Sequence, residues 1–407
     1  MSMLNILATG MLSRVCCTAA TFTTGVLIAR GYGKEAVGVY VLVLAARRLI
    51  FSITNIGYLT AIVYKYTNNN IMSKFEFIEI IKRVLIICVF SVISINIIVY
   101  ALPKGYFLSY RSEILTISCL VISSFILNLS QRLASIFKKT SMINISEVFV
   151  QISFLIFCGL CVYLEHIYIS DALKVLFFLE TMVSIFIFYC LIGCLSNLKE
   201  KRRELFSVRS LFSYSKWIYV SNWINSLIVD FPVFSMTWFN VPLSGIGIFS
   251  RSMTFVNLGR NLLNPMAKII FPYFREGEDR VVSNYVKVVL SSLVIFLPIM
   301  LFIAIYSDKI IVNIYGIEFI EAAEYLKIMT PILLLQPFNV ISNVFLTARG
   351  SARNVSIFSL SSLVVLITTS AYFYDSLGIK SIAISVLFQQ VMIAIIYVFL
   401  VMRSIRE

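Results

Sequence analysis

Polar and apolar positions follow one another along this chain in long blocks rather than short periods. Apolar runs of roughly 20 residues or more alternate with brief polar punctuation, and at about 1.5 Å per helical residue each is long enough to cross a hydrocarbon core. Twelve spans result, at 4–29, 36–63, 78–102, 113–137, 142–164, 171–196, 210–238, 244–274, 284–306, 322–347, 354–374 and 379–402. The expected fold is all-α: a polytopic membrane protein of twelve transmembrane helices in two six-helix bundles, forming a V around a central cavity. The longest polar stretch, SNLKEKRRELFSVRS at 196–210, lies near the middle. It divides an N-terminal bundle (1–198) from a C-terminal bundle (210–407), with 199–209 as a cytoplasmic linker.

Composition narrows the chemistry. Of 407 residues 59% are hydrophobic and 13% charged, too few charges to wrap the two or three domains that a soluble chain of this length would need. The single histidine, His166, leaves histidine-rich metal sites and Ser-His-Asp or Cys-His machinery without ligand or base. A GxxxxGK[ST] phosphate loop is missing, which argues against ATP hydrolysis. Cys158 and Cys161 spell CxxC, but all eight cysteines lie in apolar stretches, where thiols pack as small hydrophobes. The expectation is a non-enzyme with no cofactor and no metal.

The 34 Lys and Arg against 20 Asp and Glu give a net charge of +14, and their distribution is a topology signal. If both termini are cytoplasmic, 20 basic residues fall on the cytoplasmic side and 8 on the other, the bias that sets orientation in multi-pass proteins. The excess charge then belongs to topology and to anionic inner-membrane lipids, not to nucleic acid.

The halves resemble each other. GKEAVGVY (33–40) aligns with PLSGIGIF (242–249), placing Gly38 on Gly247, and NIS (144–146) aligns with NVS (354–356) at nearly the same offset. Two six-helix repeats with an even helix number are parallel, and such folds place substrate between the repeats.

Once the 20 and 8 basic residues assigned to the two sides are set aside, six remain within the membrane: Arg14, Arg47, Arg48, Arg251, Arg260 and Lys268. Each costs about 2.5–3.5 kcal/mol at a helix centre on insertion scales. Helical spacing sets Gly10, Arg14, Thr18, Thr21 and Gly25 on one stripe, Arg48, Ser52 and Asn55 on another, and Thr254, Asn257, Arg260, Asn261, Asn264 and Lys268 on a third. Asn222, Asn225, Ser226 and Asp230 extend the pattern to the seventh span, and Gln336, Asn339, Asn343 and Thr347 to the tenth. For the neutral stripes, interhelical hydrogen bonding competes with cavity lining. The cations outnumber Glu147, Glu180 and Asp230, the plausible intramembrane acids. Arg47 and Arg48 are about 100° apart, so one of them faces the ligand; Arg251 and Lys268, near helix ends, are expected to snorkel. Surplus buried guanidinium suits a phosphate-bearing substrate, and the Asn, Gln, Ser and Tyr lining suits hydroxyls, so the residues point to a lipid-linked, diphosphate-bearing sugar. The candidate substrate-binding set is Arg14, Arg47, Arg48, Arg260, Asn257, Asn261, Asn264 and Lys268. Asp230, beside Pro232, is the ion-coupling candidate, with a fixed pair to Arg260 or Arg251 as the alternative.

VLIARGYGKEAVGVYVLVLAARRLI (26–50) resembles the first loop and second helix of polysaccharide flippases in the multidrug/oligosaccharidyl-lipid/polysaccharide (MOP) exporter superfamily. The similarity continues through VDFPVFSMTWFNVPLSGIGIFSRSMTFVNL (229–258), YGIEFIEAAEYLKIMTPILLL (315–335), LTARGSARNVSIFSL (346–360) and DSLGIKSIAISVLFQQ (375–390), and departs at Lys380 and Ser381. It implies an O-antigen repeat-unit flippase of the bacterial inner membrane. Such a protein moves an undecaprenyl-diphosphate-linked oligosaccharide to the periplasmic leaflet by alternating access, with Arg14, Arg47 or Arg48, and Arg260 at the cationic positions. It leaves open whether the protein works alone or beside the O-antigen polymerase and chain-length regulator. The competing readings are a multidrug or small-molecule antiporter of the same superfamily, and an O-antigen polymerase or lipid-linked glycosyltransferase. The last is disfavoured by the short outside connections.

Overall fold

The computed structural model describes residues 3–55, 74–101, 111–137, 139–164, 169–195, 208–270, 274, 278–349 and 351–406. The protein is all-helical, and the described residues contain no strand. In chain order the helices are α1 Met3–Thr54, α2 Lys74–Ala101, α3 Arg111–Ile136, α4 Thr140–Leu164, α5 Ile169–Leu195 and α6 Val208–Trp238. They continue with α7 Leu243–Ile270, α8 Glu278–Tyr315, α9 Glu321–Met329, α10 Ile332–Ala348, α11 Ala352–Leu377 and α12 Ile379–Arg406. Among the described residues seven helices are long and apolar enough to cross a membrane, and an eighth span arises if the bent pair α9 and α10 counts as one.

Three expected elements differ from their patterns. The first two spans belong to one run of helix, broken only at Gly33, whose φ of 76° and ψ of −175° lie where a side chain is not tolerated. The polar loop expected near 30–35 is therefore helical on both sides of one glycine. The ninth span lengthens to Glu278–Tyr315, because the mixed segment SDKIIVNIY continues the helix after the apolar run ends. The tenth is bent by 44° between α9 and α10, where Thr330 and Pro331 interrupt the ladder, as a proline without an N–H must. Residues 56–63 of the expected second span lie outside the described residues.

The chain forms two compact units. One holds Met1–Thr24 and Leu42–Ser226, the other Gly25–Val41 and Leu227–Glu407. Where the sequence suggested a single division at 199–209, the second unit also takes the middle of α1. The physical reason is close backbone packing within that unit. A Cβ on Gly38 would lie 2.9 Å from the carbonyl carbon of Leu243, and one on Gly247 would lie 3.0 Å from that of Lys34. Each glycine rests on the carbonyl four residues before the other, so the pair aligned by the sequence repeat is in contact. Only residues without side chains let two helices approach this closely. Arg30 adds a polar tie in the same unit: its Nε donates to Ile314 O at 2.8 Å and its Nη2 to Asn313 O, satisfying carbonyls at the C-terminus of α8 and complementing the helix dipole.

In the first unit α3 packs along α5 and α2, and α4 packs on α5, burying Leu120, Val121, Phe125, Leu133, Leu173 and Ile187. In the second, α10 is central, packing on α7, α8 and α12, with Phe274, Tyr285 and Phe345 as an aromatic knot at centroid distances of 4.8–6.2 Å. Val294, Ile295, Phe302 and Ile305 of α8 are exposed, as a lipid-facing helix requires.

Candidate functional site

The candidate cations fall into different environments. In the first unit Arg14 of α1 meets Glu147 of α4 end-on: Nη1 lies 3.2 Å from Oε2 and Nη2 donates to Oε1 at 3.2 Å. The side chain of Arg14 stays 51% exposed and that of Glu147 20%. Around this pair the two helices run side by side in the same direction. Gly10 lies near Asn144, and the Thr21 hydroxyl is 3.1 Å from Oε1 of Gln151. Asn144, Glu147 and Gln151 thus form a polar stripe on α4 at spacings of three and four. Sequence reading missed this face, although the spacing itself was its signal.

Arg47 is different. Its Nη2 lies 2.6 Å from Glu180 Oε1, its Nε donates to Ser124 Oγ at 2.5 Å, and Glu180 Oε2 accepts from Ser123 Oγ at 2.5 Å. Side-chain exposures of 16% and 5% make this a buried, satisfied ion pair that ties α1 to α3 and α5. Arg48, one residue on, is exposed, so the two arginines point into different surroundings, as their 100° separation requires.

In the second unit Arg251 is buried rather than snorkelling. Its Nη1 donates to Gly25 O at 3.0 Å and its guanidinium lies 5.5 Å from the centroid of the Tyr315 ring. A Cβ on Gly25 would lie 2.5 Å from that nitrogen. Gly25, read from the sequence as part of a lining stripe, is the space that admits Arg251. Arg260 of α7 is half-buried, with no hydrogen bond or ion pair to it among the described residues. Asn257 beside it is half-buried and Asn261 is exposed. Asn264 and Lys268 belong to α7, but their side chains are outside the described residues, as is that of Asn222. Asp230 is buried in α6 two residues before Pro232.

The stripe on the tenth span is interhelical glue, not lining. Gln336 Nε2 donates to Val256 O at 3.0 Å, Asn339 Nδ2 donates to Gln390 Oε1 at 3.0 Å, and Asn343 Nδ2 donates to the Tyr397 hydroxyl at 3.2 Å. These bonds spend the amides on α7 and α12. Cys158 and Cys161 are buried thiols that form no disulfide.

No protein-family model matches the chain, and no curated protein is similar to it in sequence. Solved structures do match, along nearly its whole length. An inward-facing multidrug resistance MATE family transporter of the MOP superfamily superposes with a TM-score of 0.73 at 14% identity, covering 97% of this chain and 98% of that one. The chain has the MATE transporter fold. An outward-facing MATE structure gives a TM-score of 0.64 at 14% identity, with 98% and 95% covered. A MOP superfamily transporter from Pyrococcus furiosus, described as having a binding pocket of reverse polarity that suggests a different function, gives 0.68 at 14%, with 99% and 96% covered. Among the described residues Arg14 and Arg47 each pair with a glutamate, whereas Arg251 and Arg260 show no carboxylate contact.

Proposed function

We propose that this protein is a flippase that moves an undecaprenyl-diphosphate-linked oligosaccharide from the cytoplasmic to the periplasmic leaflet of the bacterial inner membrane by alternating access, with both termini cytoplasmic. The observation that carries the reading is Arg260, a half-buried guanidinium in a helix flanked by Asn257 and Asn261, with no partner among the described residues. A permanent cation in a membrane-spanning segment costs about 2.5–3.5 kcal/mol by insertion scales. An anionic headgroup recovers that cost through two parallel charge-assisted hydrogen bonds. The neighbouring amides of Asn257 and Asn261 meet sugar hydroxyls, and Arg14 and Arg48, both exposed, are the further candidate cations of the first unit. The fold suits the task, since MATE transporters of this fold are known in inward-facing and outward-facing states. A ligand drives such an exchange only through its differential affinity for the states.

A multidrug or small-molecule antiporter is the second reading, favoured by the multidrug resistance function stated for the neighbour of highest similarity quoted above. A cationic drug would meet like charge at Arg260. The discriminating experiment is complementation of a flippase-null strain with Arg14, Arg48 and Arg260 changed singly to Ala and to Lys, scoring surface polysaccharide and protein abundance. Loss of export at normal abundance, with partial rescue by Lys, supports the flippase. Full export by the Arg260→Ala and Arg48→Ala proteins overturns it.

A further inference from the structure

The first unit contains two Arg–Glu pairs of opposite character. Arg47–Glu180 is buried, and two serine hydroxyls hold it in place. Arg14–Glu147 has longer contacts of 3.2 Å, an arginine half open to its surroundings, and among the described residues no additional hydrogen bond to either partner. A shielded, fully satisfied pair is costly to break, whereas an exposed pair contributes little and exchanges readily. Glu147 also uses Nη1 and Nη2 together, one carboxylate oxygen to each nitrogen. Those are the two donors with which an arginine grips a phosphate oxygen pair.

We propose that Glu147 is a resident competitor for the anion at Arg14: its carboxylate fills the guanidinium fork, and substrate enters by exchanging one anion for the other. The proposal rests on the diphosphate-lipid reading above and specifies how that site selects its ligand. A headgroup with two or more negative charges outcompetes one carboxylate, while a singly charged anion gains nothing by the exchange. Glu147 thereby excludes monoanionic lipids by an alternative ligand, a form of selection against the wrong partner. The neighbouring contacts let the exchange occur without parting the helices. Thr21 and Gln151 join α1 and α4 on one side of the pair, and Gly10 lies against Asn144 on the other.

The test is binding of farnesyl diphosphate to the full-length protein in lipid nanodiscs, with thermal melting in parallel. Glu147→Gln, which keeps the shape and removes the charge, is expected to bind the probe about tenfold more tightly than wild type, while melting no higher in its absence. Arg14→Ala added to Glu147→Gln is expected to erase the gain. Glu147→Asp, too short to reach both nitrogens, keeps the test available if the glutamine variant does not fold, and it too should bind more tightly than wild type. Unchanged or weaker binding by the folded variants overturns the proposal. A tightened Glu147→Gln together with a wild-type protein that cannot restore surface polysaccharide keeps the exchange and removes the flippase reading. Restored polysaccharide with unchanged Glu147→Gln affinity does the reverse.

Discussion

Replacing Gly247 with alanine puts a methyl carbon 3.0 Å from the carbonyl carbon of Lys34, closer still to its oxygen, and 3.1 Å from the backbone nitrogen of Gly38. All three are main-chain atoms of a helix, so no side chain can turn aside to make room. Restoring ordinary contact parts the second arm of α1 from α7 by about 1 Å, enough to forfeit a quarter or more of each dispersion well along the crossing. Overpacking of this kind costs about 1–3 kcal/mol. The better helix propensity of alanine returns up to about 1 kcal/mol. The expected net loss is about 1–2 kcal/mol, or roughly 2–8 °C in melting temperature for a unit of about 200 residues. Gly38→Ala meets the carbonyl of Leu243 in the same way and should cost about as much. The double variant should cost clearly less than the two together, because helices parted by one methyl group already have room for the second. Gly10→Ala is the control, since its nearest atom is a side-chain nitrogen at 3.8 Å. The assay is retention of monodisperse protein after heating in detergent. Wild-type melting of both Gly38→Ala and Gly247→Ala would refute the close crossing, and additive losses would show that the two glycines do not share one contact.

Two further outcomes follow from the geometry. Glu180→Gln leaves Arg47 buried without its carboxylate and should destabilise the protein by about 3–5 kcal/mol, whereas replacing both partners by apolar residues should cost much less; equal losses in thermal melts would show that the pair is not coupled. Gly33→Ala forces a side chain into a glycine-only backbone region at about 1–3 kcal/mol, read in the same melts, and a variant as stable as wild type would mean that the break does not need glycine.

Much of the helix plan was legible because burial in lipid leaves a blunt signal. The fourth, fifth, sixth, seventh and twelfth spans begin within two residues of α3, α4, α5, α6 and α12, since hydrocarbon thickness and backbone hydrogen bonding leave a chain little choice. The breaks were harder. Gly33 interrupts helix without a polar loop, and Thr330–Pro331 bends a span that stays apolar on both sides, so hydropathy alone misplaces both. Side-chain partners were harder still. Glu147 and Glu180 stood out as intramembrane acids, but each pairs with an arginine 133 residues away, a relation that helical periodicity does not contain. Arg251 shows the same gap from the other side: proximity to a helix end suggested snorkelling, and only the facing Gly25 carbonyl explains its burial. The glycines were the exception, because the repeat that aligned Gly38 with Gly247 also paired them in space.

Recognition of an anionic diphosphate headgroup by Arg260 is the property that separates a flippase of this kind from its relatives by fold. The direct measurement is translocation in proteoliposomes of two polyprenyl lipids bearing the same oligosaccharide, one through a diphosphate and one through a neutral linkage, by wild-type protein and by Arg260→Ala. The expected result is movement of the diphosphate lipid alone, falling at least tenfold in Arg260→Ala. Equal movement of both lipids, or an Arg260→Ala protein as active as wild type, would contradict it.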